Sequence, residues 1–405
     1  MLRAAAGGVS KHVGHDLEDV PLSPQTTNAE DLLATLVGFD TTSAKSNLAL
    51  IGFVQNYLDG HGIASTLVTS ADGEKANLYA TIGDGDGGIG LSGHSDCVPV
   101  EGQNWTSDPF TLTKRDGRLY GRGTCDMKGF IACVLASVPL FKSRTLNEPI
   151  HIIISYDEEV GCAGVRPVIA RLGADLPLPR AVIIGEPTSM AVIDAHKRID
   201  VYRTKVTGKE AHSSLPAIGV NAISVAAELI GEIDRMAERT AAAENDPRFE
   251  PPYSTMSVGV IEGGTAANIV PQHCAFRWQV RSLPDTTVDT AKRDLSAFAE
   301  TLLPKMRAIT KDAAIETESQ TSVPAFTAAP QSDAVALALA LTGANRTSAV
   351  SYATEAGLFE AAGCPAVICG PGDIAQAHAA DEFVSIAQIE ACLTFLADLA
   401  NRLRA

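Results

Sequence analysis

Three short apolar runs, 150–156 (IHIIISY), 181–185 (AVIIG) and 366–370 (AVICG), constrain the fold more than any other feature of the chain. A strand with one face in water alternates apolar and polar residues, whereas an unbroken apolar run must bury both faces. That is the situation of a central strand in a parallel sheet covered by helices. Helix-like stretches such as 127–141 (MKGFIACVLASVPLF) lie between these runs, and such alternation marks an α/β sheet. Upstream, 28–39 reads as a helix capped by Asn28, and 46–62 as a helix ending at Gly60 or Gly62. Short strands come next in STLVTS, NLYATIG and GIGLSG. The turn 83–88 (GDGDGG) formally matches a dinucleotide-binding fingerprint but leads into a strand, so no helix N-terminus awaits a pyrophosphate, and it reads as a hairpin turn.

From about 199 to 310 the pattern changes to strand, helix, two strands, helix, which suits a small antiparallel sheet with helices on one face. The economical division is a loose arm at 1–25 carrying His12 and His15, a catalytic domain formed by 26–198 and 311–405, and an inserted α+β domain at 199–310. At 405 residues the chain is long enough for two or three domains, and with only 5% aromatics its cores must be mainly aliphatic. A net charge of −16 argues against nucleic acid and anionic membranes as partners. No apolar run approaches the roughly 20 residues of a membrane helix, and the first residues lack the apolar core of a secretory signal. Eight scattered cysteines without a C-x-x-C pair suggest free thiols and a cytoplasmic protein.

The residues at the strand ends suggest the chemistry, because ligands of open α/β sheets bind at the carboxyl ends of the strands. GIGLSG runs into His94 and Asp96, IHIIISY into Glu158 and Glu159, and AVIIG into Glu186; AVICG leads on to His378, and Asp126 opens the helix at 127. Each has a plainer reading alone: a hydrogen-bonded structural histidine, a solvated acidic loop, a helix cap. Together, two imidazoles and several carboxylates suit zinc, cobalt or manganese, and a shared Asp would give each of two ions one His and one Glu. The segment 93–97 (GHSDC) lacks the last Gly of a nucleophile elbow, and no H-E-x-x-H is present.

The motifs GHSDCVPV, GRGTCDMKGF, YDEEVGCAG, GEPTSM, AHSSLPAIGVNAI, GGTAANIVP, YATEAGLF and GPGDIAQAHAADEFV resemble, in order and spacing, those of the di-zinc aminoacylase/carboxypeptidase family. The likeness runs from about residue 30 to the C-terminus, with one departure at Arg198, where the family commonly has Gly. It implies a zinc-peptidase-like catalytic domain with a mostly parallel sheet, interrupted by an α+β sandwich that serves as lid and dimerisation domain. His94, Asp126 and Glu186 would bind one metal, and Asp126, Glu159 and His378 the other, with zinc expected and cobalt possible. Glu158 would be the general base, Asp96 would orient His94, and the Asp126–Met127 bond would be cis. His212 would reach into the partner subunit of a homodimer and stabilise the oxyanion. Asn268 and Arg281 would hold the substrate carboxylate, while Tyr352 and Glu355 would face its side chain, Glu355 attracting a δ-ammonium. The implied reaction is hydrolysis of the acetyl amide of N2-acetylornithine. Succinyl-diaminopimelate, other N-acyl amino acids and dipeptides are alternative substrates, and a catalytically silent metal-binding relative is the alternative of another class.

Overall fold

The structure, a computed structural model, describes residues 24–286 and 289–405. The arm expected at 1–25, with His12 and His15, lies outside these residues except for its last two, which open the helix Pro24–Val37. Asn28 therefore sits within that helix and does not cap it.

The larger sheet has nine strands. At its centre Ile150–Ser155, Ile89–His94, Ala181–Ile184 and Ala366–Ile368 lie side by side and parallel. Ala76–Ile82 and Ser65–Thr69 extend it antiparallel on one side, and Ile193–His196 does so on the other. The period of two in a strand explains why the central runs had to be wholly apolar. Ile152, Ile154, Ala181, Ile183 and Val367 enter one core with the helices Pro24–Val37, Leu48–Gly60, Lys128–Lys142 and Ile386–Arg402. Their neighbours Ile153, Val182, Ile184, Ala366 and Ile368 enter a second core on the opposite face, with Val168 and Phe359.

The turn 83–88 is not a hairpin. Ile150–Ser155 inserts between the two strands that the turn connects, pairing antiparallel with one and parallel with the other. The glycines let the chain pass over this inserted strand: Gly88 has φ +87°, and a Cβ there would lie 2.3 Å from the Pro149 carbonyl oxygen.

A separate four-stranded antiparallel sheet has the order Thr255–Gly263, His273–Ser282, Arg198–Thr207, Ala314–Val323. Tyr202, Val206, Phe276, Trp278 and Val280 pack against Leu229 and Ile233 of the helix Ala222–Ala243 and Leu295 and Leu303 of the helix Thr290–Arg307. Asn221 caps the first of these helices, its side chain accepting the Ser224 N–H at 3.0 Å. The fourth strand, Ala314–Val323, falls beyond the expected end of the insertion at 310. Its sequence, AIETESQTSV, is mostly polar and largely solvent-facing, so no apolar period announces it. Thr255–Gly263 is an exposed edge strand rather than a half-buried one. All eight cysteines are free and buried, and no helix among the described residues is long and apolar enough to cross a membrane.

The chain crosses between the sheets at His196–Lys197. Lys197 Nζ donates to the carbonyls of Pro251 (2.8 Å) and Tyr253 (2.7 Å). His196 is fully buried, its Nδ1 2.8 Å from the Lys197 carbonyl, its Nε2 accepting the Thr354 N–H at 3.3 Å, and its ring 5.6 Å from Phe326. Burial pulls its pKa down to about 4. Below the unfolded-state value near 6.5 the unfolded chain takes up a proton that the folded chain refuses, so stability falls as pH drops from about 6.5 to 4. The loss is up to about 3 kcal/mol. Against a His196→Gln variant, the stability advantage of the wild-type protein is expected to shrink over this window in denaturant titrations; parallel pH profiles would contradict it.

Candidate metal centre

Because the central strands are parallel, their carboxyl ends share one edge of the sheet. His94 is the last residue of its strand, Glu158 and Glu159 follow Ile150–Ser155 after a turn at Asp157, and Glu186 follows Ala181–Ile184. Asp126 lies two residues before the helix Lys128–Lys142, across a cis bond to Met127 as expected. His378 follows the short 3₁₀ turn Ile374–Gln376.

The structure brings these six together. One oxygen of Asp126 lies 2.9 Å from His94 Nε2 and the other 3.5 Å from His378 Nε2. Glu186 is 3.9 Å from His94 Nε2, and Glu159 is 2.9 Å from His378 Nε2. His94, Asp126 and Glu159 offer ligand atoms within 4.8 Å of one another, as do His94, Glu158 and Glu186. Asp126, Glu186 and His94 are buried, whereas the His378 side chain is 54% exposed.

The electrostatics of the cluster are strained without a counter-charge. Burial, reinforced by neighbouring carboxylates, pushes Glu186 and Glu158 well above the carboxylate range and raises Glu159 as well. The imidazoles respond oppositely: His94 rises well above its ordinary value because Asp126 and Asp96 outweigh burial, and Asp126 and Glu159 lift His378 to about 10. Four crowded carboxylates with two imidazoles form a donor set of the kind that borderline divalent cations accept. The residues present therefore fit a metal centre.

Asp96 meets His94 with both its backbone and its side chain. The second ring nitrogen of His94, Nδ1, faces the Asp96 backbone carbonyl at 2.9 Å, with the carboxylate at 3.5 Å. That carboxylate accepts the Ser43 hydroxyl (2.7 Å) and the backbone N–H groups of Glu158 (3.1 Å) and Glu159 (3.3 Å). One residue thus fixes both the imidazole and the acidic turn beside it.

Tyr352 stands beside the cluster, near Glu186 and Asp126, and Arg281 reaches the residue before it. Arg281 Nη1 reaches the Ser351 carbonyl at 3.4 Å, and the Tyr352 hydroxyl meets the Pro187 carbonyl, next to Glu186, at 3.4 Å. Glu355 lies deep, within electrostatic reach of Glu158. It is 1% exposed, accepts the Ser92 hydroxyl at 3.3 Å, and burial pushes its carboxyl up to about 7. His212 and Asn268 are both exposed, at a separate two-stranded sheet in which Ala211–His212 pairs with Ile269–Val270. His212 Nδ1 there accepts from the Ser214 hydroxyl or donates to it at 2.7 Å.

Sequence reasoning passed over three contributors. Cys162 holds its thiol 3.2 Å from Glu158 Oε1. Arg122 and Glu382 form a buried ion pair behind Asp126. An arginine between two glycines in GRG and an acid four residues after His378 were visible, but nothing in one sequence distinguishes them from surface charges.

Residues 90–402 match the peptidase family M20/M25/M40. The acetylornithine deacetylase of Proteus mirabilis (strain HI4320) is 38% identical over 354 residues, covering 87% of this chain and 89% of its own. That of Myxococcus xanthus is 34% identical over 378 residues, covering 90% and 94%. Among solved structures, a tripeptidase from Staphylococcus aureus superposes with TM-score 0.73 at 19% identity, covering 93% of this chain and 98% of its own. A dinuclear metal-binding M20 peptidase from Bacillus subtilis gives 0.66 at 16%, covering 94% and 98%.

Proposed function

The chain belongs to the peptidase family M20/M25/M40 and is a metal-dependent amidohydrolase, and from that premise we propose that it removes the acetyl group of N2-acetylornithine, giving ornithine and acetate. The observation that carries the reading is Asp126 between two imidazoles, His94 at 2.9 Å and His378 at 3.5 Å, with Glu186 and Glu159 flanking them. His94, Asp126 and Glu186 would hold one divalent ion and Asp126, Glu159 and His378 the other, zinc first and cobalt second. When bound, such ions polarise an amide carbonyl and bring the pKa of water down towards about 7.

The remaining work falls to the chain. Glu158 takes the proton from the attacking water and returns it to the leaving amine, as a carboxylate within hydrogen-bond reach can. Asp96 keeps the Glu158–Glu159 turn and His94 in register. The planar guanidinium of Arg281 holds the substrate carboxylate together with Asn268 of the partner subunit, and Tyr352 lines the side-chain pocket. Glu355 supports the floor beneath the cluster.

His212 and Asn268, both exposed, serve the site of a second copy in a homodimer. Supporting this, among the described residues Thr255–Gly263 is unpaired along one edge of the smaller sheet, and the inserted domain exposes Leu215, Ile218, Ile223, Val260, Ile261 and Ile269. Unpaired edges and contiguous apolar surface are what association covers. The setting is cytoplasmic arginine synthesis. A panel of N-acyl substrates tests the assignment: kcat/KM for N2-acetylornithine is expected to exceed that for N-succinyl-diaminopimelate or a dipeptide by at least ~10-fold, about 1.4 kcal/mol of transition-state discrimination. Equal or inverted values would reassign the substrate.

A further inference from the structure

The two proposed ion sites are built with unequal rigidity. His94 ends a central strand and Glu186 closely follows one, so the sheet itself fixes them. His378 is half-exposed, sits at φ +61° in an irregular loop, and shares its ion with Asp126, a residue far away in sequence. A single buried scaffold joins this pair.

Arg122 and Glu382 are each 1% exposed and pair at 2.7 Å through Nη1 and Oε2. The other oxygen of Glu382 accepts the backbone N–H groups of Cys125 (2.9 Å) and Asp126 (3.1 Å), holding the peptide from which the bridging carboxylate projects. The same guanidinium reaches the Ala379 carbonyl at 3.4 Å, lies 5.0 Å over the Trp105 ring, and donates to Gln103 Oε1. Gln103 in turn donates its amide to the His378 carbonyl at 2.8 Å. Both ligands thus hang from one guanidinium, Asp126 through Glu382 and His378 through Gln103. Only the planar fork of Arg can satisfy these divergent acceptors at once.

We propose that Arg122, Glu382 and Gln103 are positioning residues for the ligands of the centre: Gln103 sets His378 and so the Asp126–Glu159–His378 site alone, whereas Glu382 sets the shared Asp126 and so both sites. The inference rests on the two-metal reading above. Groups that orient metal ligands typically change affinity by about 10–100-fold when removed, and here the loss should fall on one ion where only His378 is released and on both where the shared Asp126 is.

Calorimetric titration of the metal-free protein with zinc ions, with bound metal counted per chain, reads this directly. Wild-type protein is expected to take two equivalents, and His378→Ala identifies the one that depends on the outer loop. In Gln103→Ala that equivalent should weaken by about 10-fold with the other changed less than about 2-fold, whereas in Glu382→Gln both should weaken, by up to about 100-fold. Gln103 is only partly buried, so if Glu382→Gln does not fold, Gln103→Ala decides alone. Two unchanged equivalents in Gln103→Ala, or two weakened alike there as in general destabilisation, would overturn the inference while leaving the two-metal reading intact. A single equivalent in wild-type protein would overturn that reading and this inference with it.

Discussion

Replacing Glu158 by alanine is expected to lower kcat by about 100-fold or more while leaving the metal content intact, the usual scale for losing a general base. Both adjacent acids are close enough to coordinate, since Glu158 lies within ligand distance of His94 and Glu186 as Glu159 does of His94 and Asp126. Their other partners separate them. Glu159 is turned to His378 at 2.9 Å, whereas Glu158 is held by the Cys162 thiol at 3.2 Å, a weak donor that leaves its second oxygen available. In the metal-free cluster, burial and like charges keep Glu158 towards its neutral form, and a base must be ionised. Nearby cations reverse that preference, so the residue becomes a base when the centre is loaded. Truncation also removes one of four crowded carboxylates, so the variant should fold. Metal analysis beside steady-state kinetics checks the outcome. Stoichiometric loss of metal would make Glu158 a ligand and exchange its role with that of Glu159.

Much of this was legible because it is written in patterns that physics makes local. The runs at 150–156, 181–185 and 366–370 have no soluble alternative to a doubly covered strand, and the parallel sheet then dictates that His94, Glu158, Glu159 and Glu186 converge. What was illegible depends on pairing between distant segments. The turn 83–88 looks like a hairpin because nothing in it reveals that Ile150–Ser155 wedges between its two strands. The strand Ala314–Val323 is polar because only one edge of it meets the small sheet. Glu355 follows a plausible substrate-facing motif, and its burial beside Ser92 is a fact of tertiary packing. Arg122 and Glu382 meet across 260 residues of chain, a separation that no local reading bridges.

Removing the metal with a chelator is expected to abolish hydrolysis, with zinc or cobalt restoring it, and to change how stability depends on pH. The cluster itself sets the sign. Glu158 and Glu186 have folded-state pKa values raised above their unfolded ones, so from about pH 4.5 upward the folded metal-free chain binds protons that the unfolded chain has released. His378, raised to about 10, adds the same sign between its unfolded value near 6.5 and 10. Where the folded state binds more protons, stability falls as pH rises. The metal-free protein should therefore melt at progressively lower temperature from about pH 6 to pH 9. The loaded protein resists this, because ions displace those protons and bind more tightly as pH rises. At a free ion concentration of 1,000 times Kd one site adds about 4 kcal/mol, enough to move the melting point by several degrees. The gap between loaded and metal-free protein should thus widen with pH in calorimetric scans. A gap that stayed constant across this range would mean that the six side chains are already compensated without cations, and the case for a metal centre built on their crowding would fail.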